Sequence, residues 1–121
     1  LETLKKRAEF KAVAGGKRVS RDGFVLQALS LGEDRPARFG FTVTKKVGNA
    51  VVRNRIRRRL REAVRIAGAA KASAGTNYVL VGRRAALTLE FDRLIADLLS
   101  GLATLDKPDG KKRRSEKPAD V

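Results

Sequence analysis

Cysteine, histidine, methionine and tryptophan are all absent from this 121-residue chain. Their absence excludes disulfides, thiol nucleophiles, imidazole acid–base chemistry and every zinc site built on Cys or His. Acids are scarce: thirteen Asp and Glu stand against twenty-eight Lys and Arg, a formal charge of +15. The only adjacent acids, Glu33 and Asp34, lie beside Pro36 in a turn-like stretch, and Glu90, Asp92 and Asp97 fall where a solvated helix face explains them. No catalytic or metal-ligating residue is assigned from this set. Aromatics are few, five Phe and one Tyr. No apolar run approaches the roughly 20 residues of a membrane-spanning helix. No signal-like apolar core follows the basic N-terminus, so a cytoplasmic location is expected. The start at Leu1 rather than Met points to a trimmed or partial N-terminus. Glycines are too isolated for a Walker-type phosphate loop.

What remains is basic and has just enough apolar content, 42%, for one modest core. A pI near 11.3 directs attention to a polyanion, and nucleic acid before membrane. The charge concentrates in Lys45–Arg65, which holds nine basic residues and one acid. Apolar residues are spaced helically among them: Val52, Ile56, Leu60, Ala63, Val64 and Ala67 share one face. Asn54, Arg58, Arg61 and Arg65 fall nearly opposite, Arg55, Arg57 and Arg59 on the flanks, and Arg53 within the apolar arc near the helix start. A merely solvated face would mix Lys and Glu at i,i+4. Here only Glu62 is available to pair, with Arg58 or Arg65. Arginine's planar fork suits phosphate. The segment is therefore expected to be a helix with one side in a core and the other offered to a polyanion.

The rest of the chain reads as one α+β domain over residues 1–106, in the order α-β-β-β-α-β-α. Leu4 to about Ala14 is expected as a helix stopped by Gly15-Gly16. Lys17–Ser20, Phe24–Ser30 and Arg38–Thr44 are expected as strands, the last with Phe39, Phe41 and Val43 on one face. The basic helix follows from about Ala50 to Ala67, with Gly68 opening a small-residue stretch that ends it. Tyr78–Val81 suits a buried central strand, and Thr88 to Leu105 a last helix. Residues 107–121, with two prolines and no apolar periodicity, are expected to be a disordered basic tail, either solubilising or in loose contact with phosphates.

The run Val47-Gly48-Asn49-Ala50-Val51-Val52-Arg53-Asn54-Arg55-Ile56-Arg57-Arg58-Arg59-Leu60-Arg61-Glu62, preceded by Lys45-Lys46, resembles the arginine-rich motif of the bacterial ribonuclease P protein component. The resemblance extends to Leu4-Lys5-Lys6-Arg7 with Phe10, to Phe24-Val25-Leu26, and to Tyr78-Val79-Leu80-Val81-Gly82-Arg83, covering roughly residues 4–105. It implies the same element order, with a left-handed β-α-β crossover through the basic helix. It implies a role beside a catalytic RNA that removes the 5′ leader from precursor tRNA, with Mg²⁺ serving the holoenzyme and the cleavage chemistry residing in the RNA. Carried over by position, Lys45, Lys46, Arg53, Asn54, Arg55, Arg58, Arg59, Arg61 and Arg65 are the expected RNA contacts. Asn54 is equally open to a structural role, fixing backbone or a neighbouring Arg. Phe10, which matches the family's first cleft aromatic, and Phe24, singled out like Phe10 by nearby Lys or Arg, are the expected aromatics of a leader-binding cleft. Ala14 and Gln27 stand where relatives commonly carry further aromatics, so stacking on the leader is expected to be weaker.

Rival readings are a ribosomal or other structural RNA-binding protein without a role in tRNA processing, a DNA-binding protein, and a metal-dependent nuclease. The arginine-rich motif argues against the first. The lack of Asn and Gln variety for base readout argues against the second, and the sparse acids against the third.

Overall fold

Two β-prone runs and one nearly continuous apolar run supply the middle of a five-stranded sheet. The structure, a computed structural model, describes residues 2–32 and 34–106. In chain order the elements are β1 (Glu2–Thr3), α1 (Arg7–Ala14), β2 (Lys17–Ser20), β3 (Phe24–Ser30), β4 (Arg38–Thr42), α2 (Ala50–Ala63), β5 (Thr76–Gly82) and α3 (Phe91–Leu105). The strands lie in the order β1-β4-β5-β3-β2. β5 runs antiparallel to β3, from Phe24 opposite Gly82 to Ser30 opposite Thr76, and parallel to β4, from Arg38 beside Asn77 to Thr42 beside Val81. Its central position accounts for its unbroken apolar character, since both faces are covered.

The two faces bury different residues. On one, Phe24, Leu26, Phe39, Tyr78 and Leu80 pack against Ile56 and Leu60 of α2, Val64 just past its end, and Leu94, Leu98 and Leu102 of α3. Phe39 and Tyr78 stack with ring centroids 4.9 Å apart. Complete burial of a side chain such as Leu60 contributes about 1.5–3 kcal/mol. On the other face a smaller cluster of Leu4, Val13 and Val79, flanked by Phe10, Leu29 and Val81, seats α1. Among the described residues no helix is long and apolar enough to cross a membrane.

The expected α+β architecture, three main helices and sheet are present, with differences at element ends. Leu4 is not helical: α1 starts at Arg7, and Leu4 instead donates its N–H to the Phe39 carbonyl as the short β1 leaves the sheet edge. β1 itself is too short to have shown a period. α2 starts where expected, because the Asn49 side chain caps it by accepting from the Val52 N–H at 3.0 Å. It does not stop at Gly68. The helix continues through a π turn, Val64–Gly68, into a last α turn, Ala69–Lys71. A Cβ on Gly68 would lie 2.7 Å from Leu98, so this glycine serves close contact with α3 rather than termination. β4 ends at Thr42, with Thr44 starting a 3₁₀ turn, Lys45–Val47; β5 is longer than Tyr78–Val81. A second 3₁₀ turn, Arg84–Leu87, displaces the start of α3 from Thr88 to Phe91. Glu33 and the expected tail at 107–121 lie outside the described residues.

Candidate nucleic-acid interface

The apolar stripe of α2 decides which arginines face outward. Ile56, Leu60, Ala63 and Val64 are buried, with Val52 partly so. Asn54, Arg55, Arg58, Arg61 and Arg65 are correspondingly exposed, as are Lys45 and Lys46 in the turn before the helix. Among the described residues, Lys45, Lys46, Arg55 and Arg58 have no hydrogen-bonding or ion-pair partner for their side chains. Four cations thus stand free on one approach and one helix face, at a self-repulsive density that an anion would relieve.

The remaining basic residues of the motif are engaged within the fold. Arg59 donates from Nη2 to the Leu89 carbonyl at 2.6 Å and from Nη1 to the Ala86 carbonyl. It clamps the loop between β5 and α3 onto α2, a structural task beside the phosphate contact expected for it. Arg53, half-buried as its place in the apolar arc implied, donates from Nε to the Gly48 carbonyl at 3.1 Å. Arg84 donates to the Val47 carbonyl at 2.9 Å, so two successive carbonyls of the Lys45–Asn49 approach, Val47 and Gly48, are held by guanidinium groups. Asn54 accepts from Arg57, which is one of the two roles left open for it. Arg65 pairs with Glu62, with Nη2 2.5 Å from Oε2. Hydrogen bonding to Arg65 holds the Glu62 carboxyl below the usual carboxylate range, and the same contact raises Arg65.

Across the sheet, α1 overhangs a cleft of about 600 Å³ lined by Lys5, Arg7, Phe10, Lys11, Ala14 and Gln27, with Phe41, Thr42, Val79 and Val81 completing it. Phe10 reaches over the sheet at Gly40, where a Cβ would stand 2.6 Å from the ring. Glu9 holds the other side of α1: Arg38 donates to its Oε2 at 2.7 Å, and the Lys6 N–H to its Oε1 at 3.2 Å. The Arg38 hydrogen bond, then that of Lys6, keeps the Glu9 carboxyl low. Phe24 is not in the cleft. It is wholly buried in the core under α2 and α3, because even-numbered residues of β3 face that side and odd-numbered ones face α1. Ala14 and Gln27, the two positions short of aromatics, both line the cleft. Arg7, Lys11 and Phe41 were not singled out from sequence. Arg7, Phe10, Lys11 and Ala14 recur at i, i+3, i+4 and i+7, a one-face signal that could have found Arg7 and Lys11. The two surfaces meet at Phe41, because the Arg61 guanidinium lies 5.5 Å from that ring's centroid.

Fold and site together define a small α+β protein with two adjoining basic surfaces, the exposed face of α2 and the cleft under α1. The ribonuclease P family model matches residues 1–106. The ribonuclease P protein component of Gluconacetobacter diazotrophicus is 56% identical over 96 residues, covering 78% of this chain and 83% of its own. That of Brucella suis is 42% identical over 125 residues, covering 95% and 88%. Among solved structures, the RNase P protein of Staphylococcus aureus aligns with a TM-score of 0.71 at 26% identity, over 88% of this chain and 96% of that one. The Thermotoga maritima RNase P protein gives 0.70 at 26% identity, over 91% and 100%. The chain belongs to the ribonuclease P protein family.

Proposed function

We propose that this chain works as the protein component of a ribonuclease P holoenzyme, holding the catalytic RNA with one surface and the single-stranded 5′ leader of precursor tRNA with the other. The observation that carries the reading is the junction at Phe41. The free cations of α2 and the cleft under α1 are continuous through the Arg61–Phe41 contact, so two RNA strands can lie side by side on one protein. Lys45, Lys46, Arg55, Arg58 and Arg61 are the contacts for the RNA subunit, by bidentate or point-charge pairing with phosphates. Phe10, with Lys5, Arg7 and Lys11 on the rim, receives the leader by stacking and charge.

Among the described residues no group of three or more acidic or other metal-ligating side chains comes together. Membership of the family, rather than that absence, is the ground for assigning hydrolysis and the Mg²⁺ it requires to the RNA, while the protein positions the substrate. The work is placed in the cytoplasm, where precursor tRNA is made. The test combines pure protein with precursor tRNA, with and without the catalytic RNA, at low Mg²⁺. Leader removal that needs both components supports the reading; cleavage by the protein alone, or none with both, overturns it.

A further inference from the structure

The approach to α2 carries two of the free cations, Lys45 and Lys46, yet has little of its own to hold it. It is a 3₁₀ turn of three residues, Lys45–Val47, closed by the Val47 N–H donating to the Thr44 carbonyl at 3.1 Å. One such turn is a weak unit, because its hydrogen-bond geometry is poorer than that of an α-helix. Its firmest support comes from outside. Strands β4 and β5 are parallel neighbours, so the loops leaving their C-terminal ends stand side by side. The loop after β5 is well anchored: the Arg83 N–H donates to the Gly23 carbonyl at 2.9 Å, Ala86 is wholly buried, and Arg59 holds the Ala86 and Leu89 carbonyls. Arg84 opens the 3₁₀ turn of that loop and reaches from it to the carbonyl of Val47, 37 residues earlier. Gly48 leaves the passage for it: a Cβ there would lie 3.2 Å from Arg84 Nη1 and 2.9 Å from Val52.

We propose that Arg84 is a positioning residue for the RNA subunit. Its guanidinium props the Lys45–Val47 turn on the anchored loop after β5, so that Lys45 and Lys46 meet phosphates already oriented. This rests on the approach to α2 being an RNA contact. An exposed arginine in so basic a region would ordinarily be read as one more phosphate contact. The bond to Val47 gives it a different task. Ordering a loop and its side chains during binding costs free energy, and a loop ordered beforehand avoids that cost.

The experiment is a double-mutant cycle on the affinity of the full chain for the catalytic RNA, measured well below Tm. Arg84→Ala should weaken binding by about three- to tenfold, the range for side chains that must be ordered on binding. Lys45→Ala with Lys46→Ala should weaken it at least as much. Adding Arg84→Ala to that lysine variant should then change neither the affinity nor the salt slope, because nothing is left for the turn to orient. A direct phosphate contact gives the opposite result: the same loss in both backgrounds, with the slope lower by about 0.7–0.9. That result overturns the proposal, and so does an Arg84→Ala variant whose Tm falls while its affinity stays unchanged. Undiminished binding by the lysine variant would overturn the RNA contact itself, and the positioning role with it.

Discussion

Arginine does two different jobs within one helix, and only the partners tell them apart. Arg58 is free and exposed, whereas Arg59, one position on, is bound to two backbone carbonyls. Arg59→Ala should cost about 1–3 kcal/mol of stability, since the Ala86 and Leu89 carbonyls lose their donors. Arg58→Ala should leave Tm within about 2–3 °C, as surface changes within ±0.5 kcal/mol do, and should weaken assembly with the catalytic RNA. Denaturation and RNA-binding titrations on both variants check the contrast. Neighbours on a helical wheel differ by about 100°; the sequence could rank Arg59 as a flank position, but not know that the Arg84–Leu87 turn would pack there. Glu9 gives a second residue-scale expectation. Its folded pKa is depressed by Arg38, so its contribution is present above the ordinary Glu value of about 4.3 and is lost as pH falls through the lower folded value. Glu9→Gln should flatten the acid limb of a stability-versus-pH curve and lower its plateau above pH 5.

At the scale of elements, α2 and α1 are separable. Leu60 is wholly buried between the sheet and α3, so Leu60→Asp should unfold the domain by placing an unpaired charge in the core. An unchanged melting curve would show that the buried face of α2 is misassigned. Phe10→Ala should lower affinity for leader-bearing precursor, by up to the 1–3 kcal/mol of one stacked base, and leave RNA-subunit assembly intact. Arg58→Ala with Arg61→Ala should do the reverse, weakening assembly for substrates with or without a leader. Equal loss of assembly in both would make Phe10 a packing residue only. β-prone composition made β3, and helical periodicity the start of α2, readable from sequence, and alternation put Phe39 and Val43 in the core. What escaped depended on tertiary contact. Phe24 was assigned to the cleft from its basic neighbourhood, but the parity of β3 sends it to the opposite face. Gly68 had the composition of a helix stop, and packing against Leu98 carried the helix through it.

For the molecule as a whole, the net charge of +15 overstates what an RNA meets, because Arg53, Arg59, Arg84 and the paired Arg38 and Arg65 are engaged internally. Complex formation should nevertheless be steeply salt-dependent, with a slope near −0.7 per phosphate contact for single strands. With Lys45, Lys46, Arg55, Arg58 and Arg61 as contacts, affinity should fall by orders of magnitude between about 50 and 200 mM salt. A flat titration would count against polyanion binding altogether.

The sheet's connectivity has a consequence for the order in which the chain can be assembled. β5 is flanked on both sides by strands that precede it, and no described strand pairs β4 directly with β3. Until residue 82 has been made, the growing chain holds only two fragments: a β2–β3 hairpin and the short β1–β4 ladder. Neither can bury its apolar face, and two-stranded pieces are marginal in water. The parallel β4–β5 pair, moreover, waits on closure of the loop that contains α2. A nascent chain therefore carries its arginine-rich helix into solution before the core that will seat it exists, and the last central strand converts the two fragments into one sheet.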